Sequence, residues 1–379
     1  MFHRVVKIEL APDVPGVNTF INRERSPPDR HVGLQAPARD IVVGSEAVRR
    51  RARKAVTRAP ERGDVQTTVS APVRFAGVGL HGGKAVAVTV RPAPSDAGIR
   101  FRRTDPAGLG AVIPALWTHV AATPLCTRIA DPDSGVTVST IEHLMAALAG
   151  CGIHNALIDI DGAEVPILDG SAAPFVEGLL VAGVRLQDAP LRALRILRPV
   201  ELRAGAALAR LDPAPTLQIE FAIAFEDAAI GVQSRALDMA NGAFVHELCD
   251  SRTFCRLRDV EAMRAQGLAL GGSFDNAVVV DGASVLTPGG MRHPDEPVRH
   301  KMLDALGDLA LAGAPILGRY TGVRAGHALT AGLLARLFAE PDAYALVTLD
   351  RAAMARLPGA GVAPRRPRPA RREGLRASA

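Results

Sequence analysis

At 379 residues the chain has room for two or three domains, and 48% hydrophobic against only 4% aromatic residues dictates a core of Val, Leu, Ile and Ala. No apolar run of about 18 residues marks a membrane helix, no secretory signal pattern is visible at the start, and Cys126, Cys151, Cys249 and Cys255 form no C-x-x-C pair, which argues against a cysteine metal site or disulfide framework and for a reducing, cytoplasmic setting. The formal charge of +6 sits at the ends: residues 1–64 hold 13 Lys/Arg against 8 Asp/Glu and residues 351–379 hold 8 against 1, while residues 65–350 hold 24 against 30, so the body is acidic and nucleic-acid binding is not expected.

Residues 1–64, with 26-SPPDR-30 and 49-RRRARK-54, show no sustained helical or strand period and are expected to be a disordered basic extension. From 66 to 103, "QTTVSAPVRF", "KAVAVTVRP" and "GIRFRR" predict strands separated by Gly and Pro. A helix is predicted over 140–150, a strand over 155–161 and a helix over 173–183. Past residue 190 the same vocabulary returns, with strands at 195–202, 216–225 and 276–281. Helices are predicted at 242–249, 258–266, 298–312 and 328–339. The body thus divides into α+β halves, 65–190 and 191–350, with no direct repeat between them. The remainder, 351–379, is Pro/Arg-rich and expected to be a disordered tail. Weak contact of the two basic ends with anionic phospholipid stays open.

The helix "VRHKMLDALGDLALAG" (298–313) carries His300, Asp304 and Asp308 at four-residue intervals, roughly along one face. His300 and Asp304 can share one cation, although such a pair more often makes a hydrogen bond or a surface ion pair. In "STIEHLMAALAG", Ser139-x-x-Glu142 fits a capping box, which alone would explain Glu142. The alternative makes His143 a third ligand and Glu142 a base for an activated water, as hydrolytic zinc requires. His327, in "RAGHALTAGLL", is either an idle histidine at a helix start or a general acid. "AGVGLHGGKA" around His81 and Lys84 lacks P-loop spacing and reads as a hairpin. Asp169-Gly170-Ser171 reads as a turn and N-cap. Gly271-Gly272 reads as a bulge or turn.

Taken in order, "GVGLHGGK", "RPAPSDAGIRFRRTD", "STIEHLMAALAGCGIHNALIDIDGAEVPILDGSAAPFV", "SRTF", "GLALGGSFDNAVVVD", "VRHKMLDALGDLALAG" and "GHAL" closely resemble one family. It is the zinc-dependent UDP-3-O-acyl-N-acetylglucosamine deacetylases of lipid A biosynthesis, and the resemblance runs over about residues 65–350. It implies an α+β fold of two similar domains, each a sheet with helices. The helices would pack between the sheets and the site would lie at the domain junction. It further implies one Zn2+ on His143, His300 and Asp304, Glu142 as general base, and His327 as general acid oriented by Asp308. Thr253 would hold the developing oxyanion, and Lys301 the diphosphate region of an acylated UDP-amino sugar. Phe254, Gly272 and His81 are expected at the substrate, and residues 255–281 are expected to form an acyl passage. A monomer is expected.

Three departures from the family pattern bear on acyl-chain preference. Cys255-Arg256 replace a Gly and an aromatic after "RTF". Asp227-Ala228 replace a His-Pro, and Pro297 stands where an aromatic often precedes "VRHK". The alternative reading is a non-catalytic or altered-specificity homologue that binds an acylated sugar nucleotide.

Overall fold

The computed structural model describes residues 65–123 and 125–362. The expected disordered extension 1–64 and the tail beyond 362 lie outside the described residues. The first half is built on a five-stranded sheet in the order Val73–Val78, Ala85–Pro92, Ala156–Ile160, Ile99–Arg103, Val112–Pro114. Only Ile99–Arg103 and Ala156–Ile160 run parallel. Every second residue of Ala156–Ile160 is buried, the signature of a strand with one face on a core. Helix α1 (Glu142–Gly150) packs on helix α2 (Ala173–Ala182), and α2 on strand Val73–Val78. Gly178 makes the last contact, since a Cβ there would stand 2.4 Å from the Phe75 ring.

The second half has a seven-stranded sheet. Its path runs Val200–Ala204, Ala207–Asp212, Ile316–Val323, Arg192–Ile196, Tyr344–Thr348. Leu217–Ala224 joins Ile316–Val323 in parallel and carries Val232–Asp238 outside it. Helix α3 (Leu257–Ala265) belongs to the insert. Helix α4 (Glu296–Leu309) packs on Leu217–Ala224, and helix α5 (His327–Phe338) on Val200–Ala204. The helices of the two halves therefore meet in the middle. One hydrophobic cluster runs through both halves, from Phe75 and Phe175 to Leu303, Tyr320 and Leu333.

Helices α1 and α4 approach each other closely. A Cβ on Gly307 would lie 2.1 Å from the carbonyl oxygen of Glu142, so only glycine fits. All of α1 except Ala149 is buried, because α2 covers one side and α4 another; a helix apolar all round is a helix packed all round.

Several expectations shift. The single strand over 195–202 is two strands, Arg192–Ile196 and Val200–Ala204, because Pro199 has no N–H to continue a ladder. The helix over 242–249 is one π turn, Phe244–Leu248. The helix over 298–312 ends at Leu309 and tightens into a 3-10 turn, Ala310–Ala312, closed by Gly313 at φ 78°. The expectation of an unpacked tail from 351 fails as far as 362. A short helix, α6 (Arg351–Met354), is followed by a packed segment in which Met354, Leu357, Ala360 and Val362 are buried. These four apolar side chains outweigh the Pro/Arg-rich composition of the residues after them.

The insert forms a small βαβ unit. Phe254–Arg256 leads into α3, and Val278–Asp281 returns parallel to it. It is fastened to the first half by backbone bonds. Thr253 N–H donates to the Gly170 carbonyl at 2.8 Å, and Gly271 N–H to the Leu80 carbonyl at 3.0 Å.

Candidate metal centre and active site

The start of one helix converges on the middle of another. His143 opens the first turn of α1, while His300 and Asp304 share a face of α4. One ligand atom from each of the three lies within 4.8 Å of the others, and all three residues are buried. His300 Nε2 is 3.3 Å from Asp304 Oδ1, and His143 Nε2 is 3.6 Å from the same oxygen. That oxygen is buried and has no hydrogen-bond partner. A buried, unpartnered carboxylate oxygen facing two imidazole nitrogens is the donor set a divalent cation satisfies.

Protonation states favour the same reading. Burial drives His300 down to about 4, so its ring is neutral. Its Nδ1 donates to the Ser251 carbonyl at 3.0 Å, which turns Nε2 and its lone pair toward the site. Burial works against the Asp304 carboxylate, yet His300 and Lys301 hold it well below the usual range. Burial pushes the Cys126 and Cys255 thiols up to about 11, so neither offers a thiolate.

Glu142 is not a capping residue. The N-cap of α1 is Ile141 with no side-chain bond, and the Ser139 N–H donates to the Ala163 carbonyl. Glu142 Oε2 instead accepts the Thr127 N–H at 3.0 Å, and Oε1 lies 3.9 Å from His327 Nε2. Burial raises the Glu142 pKa, opposed by His327 and His143. Before α1 the chain turns sharply through Thr140, at φ 58°. The Thr140 hydroxyl donates to Glu164 at 3.1 Å, which helps hold this left-handed residue in place.

His327 is the first residue of α5, after Gly326. Its Nδ1 is 2.8 Å from Asp308 Oδ2, and its Nε2 is 3.9 Å from both Glu142 Oε1 and Asp304 Oδ2. Burial opposes the imidazolium, but the Asp308 and Glu142 carboxylates prevail and hold His327 up at about 9. Sequence reasoning missed Thr127. Its hydroxyl donates to Asp308 Oδ1 at 2.5 Å and lies 3.1 Å from His327 Nδ1. Thr127 thus touches Asp308, His327 and, through its N–H, Glu142. No spacing pattern marks it, since it sits in a loop ahead of the short strand Arg128–Ala130.

The other expected residues divide. Lys301 pairs with Asp304 Oδ2 at 2.7 Å and is half-buried beside the metal set. The Phe254 ring meets the His300 ring edge-on, 6.3 Å between centroids, and backs onto Phe225. Thr253 adjoins Phe254 and is fixed by its backbone to Gly170 and Val278. The buried ion pair of Arg252 with Glu296, 2.9 Å apart, ties this segment to the start of α4. His81 and Gly272 lie in two loops that clasp each other, and among the described residues no hydrogen bond joins either to the metal set. Glu164 accepts the N–H groups of His81 and Gly82, both at 2.8 Å, and so shapes the first of these loops. Asp169 does form a turn with Ser171, but its other oxygen pairs with Arg292 at 2.9 Å.

Two of the departures come together. Arg256 forks onto Asp259 at 2.5 and 3.0 Å. Its guanidinium lies 4.0 Å from Asp227, which Arg258 approaches to 3.6 Å.

The sequence matches the model of a known family, UDP-3-O-acyl N-acetylglycosamine deacetylase, over residues 66–339. It is 52% identical over 283 residues to the UDP-3-O-acyl-N-acetylglucosamine deacetylase of Phenylobacterium zucineum, covering 75% of this chain and 96% of the relative. It is 48% identical over 284 residues to the enzyme of that name from an Anaeromyxobacter species, covering 75% and 92%. It is 46% identical over 290 residues to the one from Shewanella oneidensis, covering 76% and 94%. With this coverage, two matching α+β halves and a His2Asp set at their junction, the chain belongs to the UDP-3-O-acyl N-acetylglycosamine deacetylase family.

Proposed function

We propose that this chain hydrolyses the N-acetyl group of UDP-3-O-(3-hydroxyacyl)-N-acetylglucosamine, giving acetate and UDP-3-O-acyl-glucosamine, a step of lipid A biosynthesis. Family membership supports the reaction class. The observation that carries the residue assignment is the convergence of His143, His300 and Asp304 with Glu142 on one side and the His327–Asp308 pair on the other.

The residues present fit Zn2+: two neutral-capable imidazoles, one carboxylate, and an orphaned oxygen between them. Zinc held there would supply Lewis acidity, lowering the pKa of water to about 7 and polarising a carbonyl.

Glu142 takes the proton from the attacking water. Its raised pKa strengthens it as an acceptor of that proton. Thr253 is assigned the hydrogen bond to the amide oxygen as charge develops there, a contribution of about 3–4 kcal/mol for a well-placed donor. His327, charged at neutral pH, delivers its Nε2 proton to the departing sugar nitrogen while Asp308 fixes Nδ1. Lys301, His81, Phe254 and Gly272 are assigned to substrate binding, and residues 255–281 to the acyl chain. The domains are assigned as 65–190 and 191–350. We assign the protein to the cytoplasm as a monomer, with weak peripheral contact at the inner membrane through the basic ends.

Acetate release from UDP-3-O-(3-hydroxyacyl)-N-acetylglucosamine by the purified chain tests this reading. Release that a chelator abolishes and zinc restores is expected. A folded, zinc-loaded protein that releases no acetate across several acyl lengths would replace it with a binding-only role.

A further inference from the structure

A cavity of about 610 Å³ opens toward the C-terminal ends of the two helices that carry the metal set. That volume lies within the ~300–1,000 Å³ of sites that enclose small ligands. On α1 the lining begins at Met145 and runs to Ala149, and on α4 it begins at Leu306. None of Glu142, His143, His300, Asp304, Asp308 or His327 lines it. The cavity is thus separate from the catalytic groups although it shares their helices.

Its walls are apolar. Trp117 and Phe338 stack at 4.9 Å between centroids, and Leu148, Leu306, Leu309 and Leu357 supply aliphatic surface. Leu357 belongs to the packed C-terminal segment, beyond the residues that match the family.

The rim is charged. Arg100 and Arg192 line the cavity and are exposed, and among the described residues neither has a carboxylate within ion-pair distance. Arg100 spends only its Nε–H, on the Ala97 carbonyl. The one carboxylate on the rim, Asp96, already accepts from Gln66 at 2.7 Å. An apolar cavity under two unpaired guanidiniums is complementary to a chain with an anionic head.

We propose that this cavity is a binding site for a single-chain fatty carboxylate, its alkyl chain between α1 and α4 and its carboxylate on Arg100 and Arg192.

Titration calorimetry of the full chain with decanoate and dodecanoate, below their micelle concentrations, tests the proposal. Saturable binding is expected to tighten about fourfold per added methylene. Ala149→Trp, which fills the cavity from a half-buried position, is expected to weaken dodecanoate at least about tenfold. The double variant Arg100→Ala/Arg192→Ala changes exposed residues only. It should weaken dodecanoate about tenfold or more but leave dodecanol binding unchanged, as loss of a charged hydrogen bond predicts. A dodecanoate carrying an aliphatic diazirine should label peptides spanning 145–153, 306–316 or 357–359. Absence of saturable binding, labelling confined to 254–281, or dodecanoate affinity unmoved by both variants would each overturn the proposal. None of these readouts depends on acetate release, so the deacetylase assignment and this one stand or fall separately.

Discussion

Asp308 Oδ2 meets His327 Nδ1 at 2.8 Å, and the same imidazole presents Nε2 to Glu142 and Asp304 at 3.9 Å. One ring nitrogen is thereby held by a buried carboxylate and the other is left to work. Burial disfavours the imidazolium, but the carboxylates around it keep His327 charged up to about 9.

Activity that needs protonated His327 should therefore fall as pH rises through about 9, and Asp308→Asn should move that limb toward the ~6.5 of a free imidazole. A loss of about 10²-fold or more in kcat with little change in KM is expected. A pH profile of kcat/KM checks both. The folded value lies above the unfolded one, so charged His327 stabilises the metal-free protein fully below about 6.5. That contribution fades as pH climbs to about 9.

Base and ligands should separate cleanly. Glu142→Gln is expected to keep about one zinc per chain and lose about 10²–10⁴-fold in turnover. His143→Ala and Asp304→Ala should lose both metal and turnover. Metal analysis beside acetate release distinguishes the two outcomes, and a Glu142→Gln protein with normal turnover would remove Glu142 from the mechanism.

Thr127 should matter as a hydroxyl. Thr127→Val leaves Asp308 Oδ1 without its donor in a buried setting, at a cost of about 1–3 kcal/mol. Thr127→Ser restores the donor and should recover both stability and the alkaline limb. Denaturant titration and the pH profile together separate a packing defect from a change in the His327 environment.

The charge at Arg256 is tied back onto Asp259 and stands near Asp227. Arg256→Met should then change turnover on any one acyl length by no more than about fivefold, the span of a partly exposed ion pair worth ~0.2–1 kcal/mol. A larger change, or one that grows with acyl length, would show that the cation faces the bound chain.

Much of this site was legible because helices repeat. The i, i+4 spacing of His300 and Asp304 and the adjacency of Glu142 and His143 survive in any sequence written out in a line. Thr127 did not show, because its partners are 15, 181 and 200 residues away and no local period links them. The capping box that Ser139-x-x-Glu142 offers as an alternative is not formed. Local pattern could not see that the Thr127 N–H would claim Glu142 from outside the helix. In the fold, three of the four helices expected in the second half were placed closely, whereas 242–249 is a π turn and strands Ala207–Asp212, Val232–Asp238, Ile316–Val323 and Tyr344–Thr348 were missed. Composition likewise hid the packed segment 351–362 beneath the Pro/Arg bias of residues 363–379.

Gly307 against the Glu142 carbonyl leaves no spacer between α1 and α4. Under the ligand assignment proposed above, one metal ligand stands on the first helix and two on the second, so neither half of the chain owns a complete site. Zinc bound tightly by that set would consequently be a certificate of assembly. A nascent or misdocked chain has at most two of the three donors, and the ion is retained only once both halves have folded and closed on each other.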